Sequence, residues 1–167
     1  MTTYIPFVEK NFGMNDIFVL FLICLFLFLI VIFPKRIPKG SSTLLFLFSV
    51  VVASVFDNSI GADNFDYYDI LDGPKYTIMD VVAYLLYLPF GYFFYYMYDK
   101  YKIRGIKTVA YILAWTLFGM LFEYICISFN LFTYKNGYKY LYSVPIYLFS
   151  LTVLLLFVNT IIMEKER

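Results

Sequence analysis

Asp57, Asp80 and Glu123 stand inside, or at the ends of, long apolar stretches. An ionised carboxyl group in hydrocarbon is costly, and where one persists it usually faces the protein interior and a partner. Glu123 lies sixteen residues past Lys107, about 24 Å along a helix that rises about 1.5 Å per residue. By the same count Asp80 sits about 6 Å inside a span that opens near Tyr76, and Asp57 closes another. Three carboxylates from three helices are therefore expected at one depth. Like charges held that close need a proton, a lysine such as Lys75, Lys135 or Lys139, or a bound cation.

Helical spacing supplies neutral companions. Asp80, Tyr84, Tyr87, Gly91, Tyr95 and Tyr98 recur at three and four residues and form one stripe. Ile112, Thr116, Gly119, Glu123, Cys126 and Asn130 form a second, and Ser143, Tyr147 and Ser150 a third. Phenols, hydroxyls and carboxyls need partners that lipid tails lack, so these faces should turn inward. The candidate ligand-binding residues are Asp57, Asp80, Glu123, Tyr84, Tyr142 and Tyr147. Plain helix packing and an interfacial aromatic belt are the competing readings of the same stripes.

Several chemistries are excluded at once. Without histidine there is no His-based triad, His metal site or histidine proton relay. The only cysteines, Cys24 and Cys126, are single residues in apolar runs, so neither a disulfide framework nor a CxxC metal site exists. Asp63, Asp66, Asp69 and Asp72 recur every third residue, which lacks the alternation, turn glycine and closing glutamate of an EF-hand. No catalytic residue, metal or cofactor is predicted, and no nucleic-acid signature is present.

The elements that must carry these side chains follow from composition. Of 167 residues, 62% are apolar and 15% charged, and the apolar residues come in blocks, as lipid requires. The fold class is all-α: a polytopic bundle of about five transmembrane helices, one membrane domain over 1–167. The spans are predicted at 17–33, 41–56, 76–98, 108–129 and 141–163, with an acidic outer loop at 57–75. The blocks are twice the length of a barrel strand and lack its alternation. The leading segment has no small-residue cleavage site after its apolar run, so the first span is expected to stay in the mature chain. Alternate connections divide the basic residues unequally: Lys35, Arg36, Lys39, Lys100, Lys102, Arg104, Lys107, Lys165 and Arg167 against Lys10, Lys75, Lys135 and Lys139. The richer side should be cytoplasmic, which puts the N-terminus outside and the C-terminus inside. The basic, aromatic loop 99–107 should then attract anionic lipid headgroups.

The segment "YILAWTLFGMLFEY" followed by "LFTYKNGYKYLYSVPIY" resembles a family of small, uncharacterised multi-spanning membrane proteins of bacilli and clostridia. Trp115, Glu123, Tyr134, Gly137, Lys139, Tyr142 and Ser143 match that pattern, as do Asp57 and the downstream "DYYD"; Tyr138 departs from it, standing where a tryptophan is expected. The resemblance covers about Ser41 to Phe157 and implies a multi-pass protein of the bacterial cytoplasmic membrane. It implies no activity. The residues predict a non-enzymatic membrane protein whose outward pocket binds a small cation, a lipid headgroup or a membrane partner, the last including a second copy of the chain. The alternatives are a small transporter or channel subunit acting as an oligomer, and a membrane enzyme acting on lipid. A transporter usually places its charges at the midplane, and an enzyme needs a nucleophile and base that no spacing here displays.

Overall fold

The computed structural model describes residues 12–61, 65–71 and 77–162. Lys10, Asp63, Asp72, Lys75, Tyr76, Lys165 and Arg167, used above, lie outside the described residues. Five helices form the body: α1 (Met14–Ile32), α2 (Lys39–Ile60), α3 (Ile78–Lys100), α4 (Lys107–Ser128) and α5 (Tyr140–Ile161), each long and apolar enough to cross a membrane. Two short antiparallel strands, β1 (Tyr68–Ile70) and β2 (Phe132–Tyr134), join the connections after α2 and α4. The class and the number of spans agree with the sequence reading. The main difference lies at Asp57, expected to end the second span. There α2 continues to Ile60, because the aspartate is buried and hydrogen-bonded rather than turned out to water. The region predicted as loop 57–75 accordingly begins with helix and contains a strand.

Local sequence explains the helix ends. Asp16 in the first turn of α1 accepts a hydrogen bond from Gly13 N at 2.7 Å, and Pro34 follows the last turn. Thr77 and Asp80 open α3 with a reciprocal capping box. Pro89 has no N–H to give and crowds the carbonyl four residues back, so the helix before it tightens to a 3-10 turn over Tyr84–Tyr87. Asn130, at φ +56, ends α4: its N–H reaches Ile127 O at 2.9 Å and the N–H of Leu131 reaches Cys126 O at 2.9 Å. That is a Schellman motif with asparagine in the left-handed position.

α3 is the most buried of the five helices. At the end away from the strands its aromatic face, with Tyr92, Phe94, Tyr95, Tyr96 and Tyr98, packs on Leu45 of α2 and on Leu154, Leu155 and Val158 of α5. Near the strands, Val19, Leu22 and Ile23 of α1 meet Ala83 and Leu86 of α3 and Cys126 of α4. Phe21, Phe28 and Val31 of α1 and Leu117 and Leu121 of α4 are exposed, apolar surface of the kind a membrane-spanning helix presents to lipid.

The crossing of α2 and α3 leaves no room for a side chain at Gly91: a Cβ there would lie 2.1 Å from Ser49 Oγ, 3.3 Å from Leu45 O and 3.5 Å from Ser49 Cβ. Gly91→Leu should force the helices apart and lower the unfolding temperature in detergent sharply. Gly91→Ala should lower it less. The double substitution Ser49→Ala with Gly91→Ala should recover much of that loss, since it removes the hydroxyl that the new methyl group meets; thermal unfolding of all four proteins checks this.

Candidate functional site

β1 and β2 pair with Tyr68 opposite Tyr134, Asp69 opposite Thr133 and Ile70 opposite Phe132. Alternation puts Tyr68, Ile70, Phe132 and Tyr134 on one face of this two-stranded cap, and all four line a cavity between the cap and the helices. Asp69 and Thr133 belong to the other face, where Lys135 Nζ lies 2.6 Å from Asp69 and 3.5 Å from Asp66. Asn136 ties its side-chain amide to Asp66 O at 2.9 Å.

The two inward tyrosines each reach a carboxylate on a helix. Tyr68 donates to Asp57 Oδ1 at 2.6 Å, and Tyr134 donates to Glu123 Oε1 at 2.5 Å. Asp57 Oδ2 also accepts from Tyr87 at 3.4 Å. Glu123 Oε1 accepts a second hydrogen bond from Ser143 Oγ at 2.6 Å, and Tyr138 OH lies 3.1 Å from Ser143 Oγ, so a chain of hydroxyls ends on the carboxylate. Ser143 must donate to Glu123, which leaves Tyr138 as donor to Ser143. Burial, followed by the nearby Asp57 charge, pushes the Tyr68 phenol far above its ordinary range; burial and then the bond to Glu123 do the same for Tyr134. Both phenols are therefore neutral donors at any physiological pH.

The cavity holds about 200 Å³. Asp57, Asp80 and Glu123 all border it, and among the described residues no Lys or Arg does. Their roles differ. Asp80 Oδ2 accepts from Thr77 N at 2.5 Å and Thr77 Oγ1 at 2.9 Å, so it caps α3 as well as bordering the cavity. Glu123 is 7% exposed, and its Oε2 is buried with no hydrogen bond among the described residues. The Tyr147 phenol stands beside this carboxyl group as a further, weaker hydrogen-bonding neighbour, and its ring occupies the space over Gly119, where a Cβ would come within 2.9 Å of it. Tyr84 borders the cavity beside Tyr87. Tyr142 does not border it: its ring lies against Tyr138 and the residue is 52% exposed.

Tyr68, Tyr87, Tyr134, Tyr138 and Ser143 were not among the predicted ligand-binding residues, although helical spacing put Tyr87 and Ser143 on inward faces and Tyr134 and Ser143 belong to the pattern that carries the resemblance. One signal was present. Asp57 and Glu123 each follow a phenylalanine, Phe56 and Phe122, and each precedes its partner tyrosine by eleven residues. Among the described residues no group of three His, Cys, Asp or Glu is placed to hold a metal ion.

Removing either roof hydroxyl leaves a buried carboxylate short of a donor. Tyr134→Phe and Tyr68→Phe should each destabilise the folded protein by about 1–3 kcal/mol, read by thermal or denaturant unfolding in detergent. Asp69, by its hydrogen bond first, raises the exposed Lys135 ammonium above its ordinary 10.5. A raised value means the pair contributes below 10.5 and is lost as pH climbs beyond it. Lys135→Ala should therefore speed amide exchange in β1 and β2 at neutral pH, and the difference from the native chain should vanish in strong alkali, while global unfolding barely moves. Comparison with family models, with curated proteins and with solved structures finds no match for this chain.

Proposed function

We propose that this chain is a non-enzymatic, multi-pass protein of a bacterial cytoplasmic membrane that binds a cation in the cavity beneath its strand cap. One observation carries the reading: among the described residues Glu123 Oε2 is a buried acceptor without a hydrogen bond of normal geometry, on the wall of a cavity that Asp57 and Asp80 also border and that no described basic side chain enters. A buried charge left in that condition is stable only with a proton or a cationic partner. The excess of Lys and Arg at the opposite end of the bundle, Lys35 to Lys39 and Lys100 to Lys107, supports an orientation with the cap outside and the C-terminus in the cytoplasm. In that orientation the loop 99–107 meets the anionic inner leaflet, where Arg104 already stacks on Tyr98 at 5.2 Å. The resemblance of Ser41 to Phe157 to small membrane proteins of bacilli and clostridia supports the bacterial setting.

Trp115 is the only tryptophan and borders the cavity, so its fluorescence reports occupancy. The purified full chain, titrated with sodium, potassium, calcium and a set of alkylammonium salts, should give a saturable Trp115 response to at least one of them. Glu123→Gln should abolish that response and Tyr142→Phe should leave it intact. A flat response to every cation, or one unchanged in Glu123→Gln, overturns the proposal. Cysteine labelling of residues in 99–107 and of Asn136 from either side of sealed vesicles checks the orientation: the loop should react only from the cytoplasmic side.

A further inference from the structure

Which cation the cavity takes can be read from its walls. We infer that the ligand is a small protonated amine, primary or secondary, carried on an apolar body, with an N–H donated to Glu123 Oε2. The inference rests on the cation-binding reading above and narrows it to one chemical class.

The acceptor is the first reason. Glu123 Oε1 already receives two hydroxyl donors, from Tyr134 at 2.5 Å and Ser143 at 2.6 Å. Its other oxygen, Oε2, is buried without one. A group that supplies both a positive charge and an N–H completes this carboxylate; a quaternary ammonium supplies only the charge.

The second reason is the rest of the wall. Beside the carboxylates it is made of aromatic and aliphatic surface, including Phe56, Phe90, Trp115, Phe122, Tyr84 and Tyr147. Aromatic faces attract an organic cation and accept its apolar body. A divalent metal would instead need six or more oxygens in place of its water shell, and no three carboxylates are grouped to begin such a shell among the described residues. A zwitterionic lipid headgroup would bring a phosphate, and among the described residues the wall offers it no Lys or Arg.

Size is the third. The cavity of about 200 Å³ is somewhat larger than the ~150 Å³ that admits a benzene molecule in a protein core. One ring or a short alkyl chain with an ammonium group fits within it.

The test uses the full chain in lipid nanodiscs and follows Trp115 fluorescence, with equilibrium dialysis as a second readout. Probes are butylamine, benzylamine and 2-phenylethylamine, their neutral counterparts butanol, benzyl alcohol and 2-phenylethanol, trimethylbenzylammonium, and sodium, potassium and calcium chlorides. At least one amine should bind saturably and about tenfold or more tighter than its alcohol, the factor that a single charge-assisted hydrogen bond carries. Glu123→Gln should bring that amine down to the alcohol's level. The amine and alcohol comparison in the unaltered protein decides the matter even if Glu123→Gln fails to fold. Saturable binding of a metal ion with none of the amines overturns the amine inference and leaves the cation reading standing. So does trimethylbenzylammonium binding as tightly as benzylamine, because then no N–H is needed. Competition by phosphatidylethanolamine, in discs made with it against discs made with phosphatidylglycerol, overturns the small-amine inference in favour of a lipid headgroup. Equal binding of amine and alcohol, unchanged in Glu123→Gln, overturns both readings, as does the absence of binding by every probe.

Discussion

A carboxylate kept inside an apolar bundle has to be given hydrogen-bond donors, and here the shortest to Asp57 and to Glu123 comes from outside the helices. Tyr68 reaches down to Asp57 and Tyr134 to Glu123, and the two tyrosines are themselves opposite one another across β1 and β2. The strand register and the helix carboxylates thus fix one another. A slip of one residue would turn Tyr68 and Tyr134 to the far face and leave both acids bare. Asp57, once satisfied, no longer interrupts α2, which gains its final turn. The cap, the end of α2 and the depth of the cavity are consequences of one pair of bonds repeated.

The bundle is filled unevenly along its length, and small residues decide where. Away from the cap, tyrosines and phenylalanines of α3 fill the interior against Leu45, Leu154 and Val158. Gly91 brings α2 and α3 into close contact above that packed layer. Gly119 then does something different: it makes space for the Tyr147 ring to lie across α4 and bring its phenol beside Glu123. Close packing below and a polar chamber above therefore come from the same residue type used against two different neighbours.

The helices and their inward faces were legible because lipid imposes a simple rule, long apolar blocks with polar stripes at helical spacing, and Asp57, Asp80, Glu123, Tyr84 and Tyr147 all border the cavity. Tyr142 belongs to the same class of residue at a span end, yet α5 opens with a 3-10 turn over Tyr140–Tyr142, and the tighter winding leaves Tyr142 against Tyr138 and out of the cavity. The strands were not legible. Each is three residues long, too short for alternation to stand out, and their pairing joins segments separated by two helices. Asp80 looked like a site residue for its depth alone, whereas Thr77 three residues before it also marks a helix start.

The choice of phenols as donors bears on what the chamber can do. A lysine in place of Tyr68 or Tyr134 would hold its carboxylate equally well, but it would also cancel the charge and close the site as an internal ion pair. A phenol satisfies lone pairs without neutralising anything, and burial keeps both of these protonated. Lys135, next in sequence to Tyr134, is placed on the opposite face of the cap and is engaged there by Asp69 and Asp66. Cap stability and cavity polarity are thereby separated: the ion pairs that hold the strands sit on one face, and the carboxyl groups held by phenols border the cavity on the other. Glu123 has one oxygen fixed by two hydroxyls and the other buried beside the Tyr147 phenol, with no hydrogen bond of normal geometry to it among the described residues.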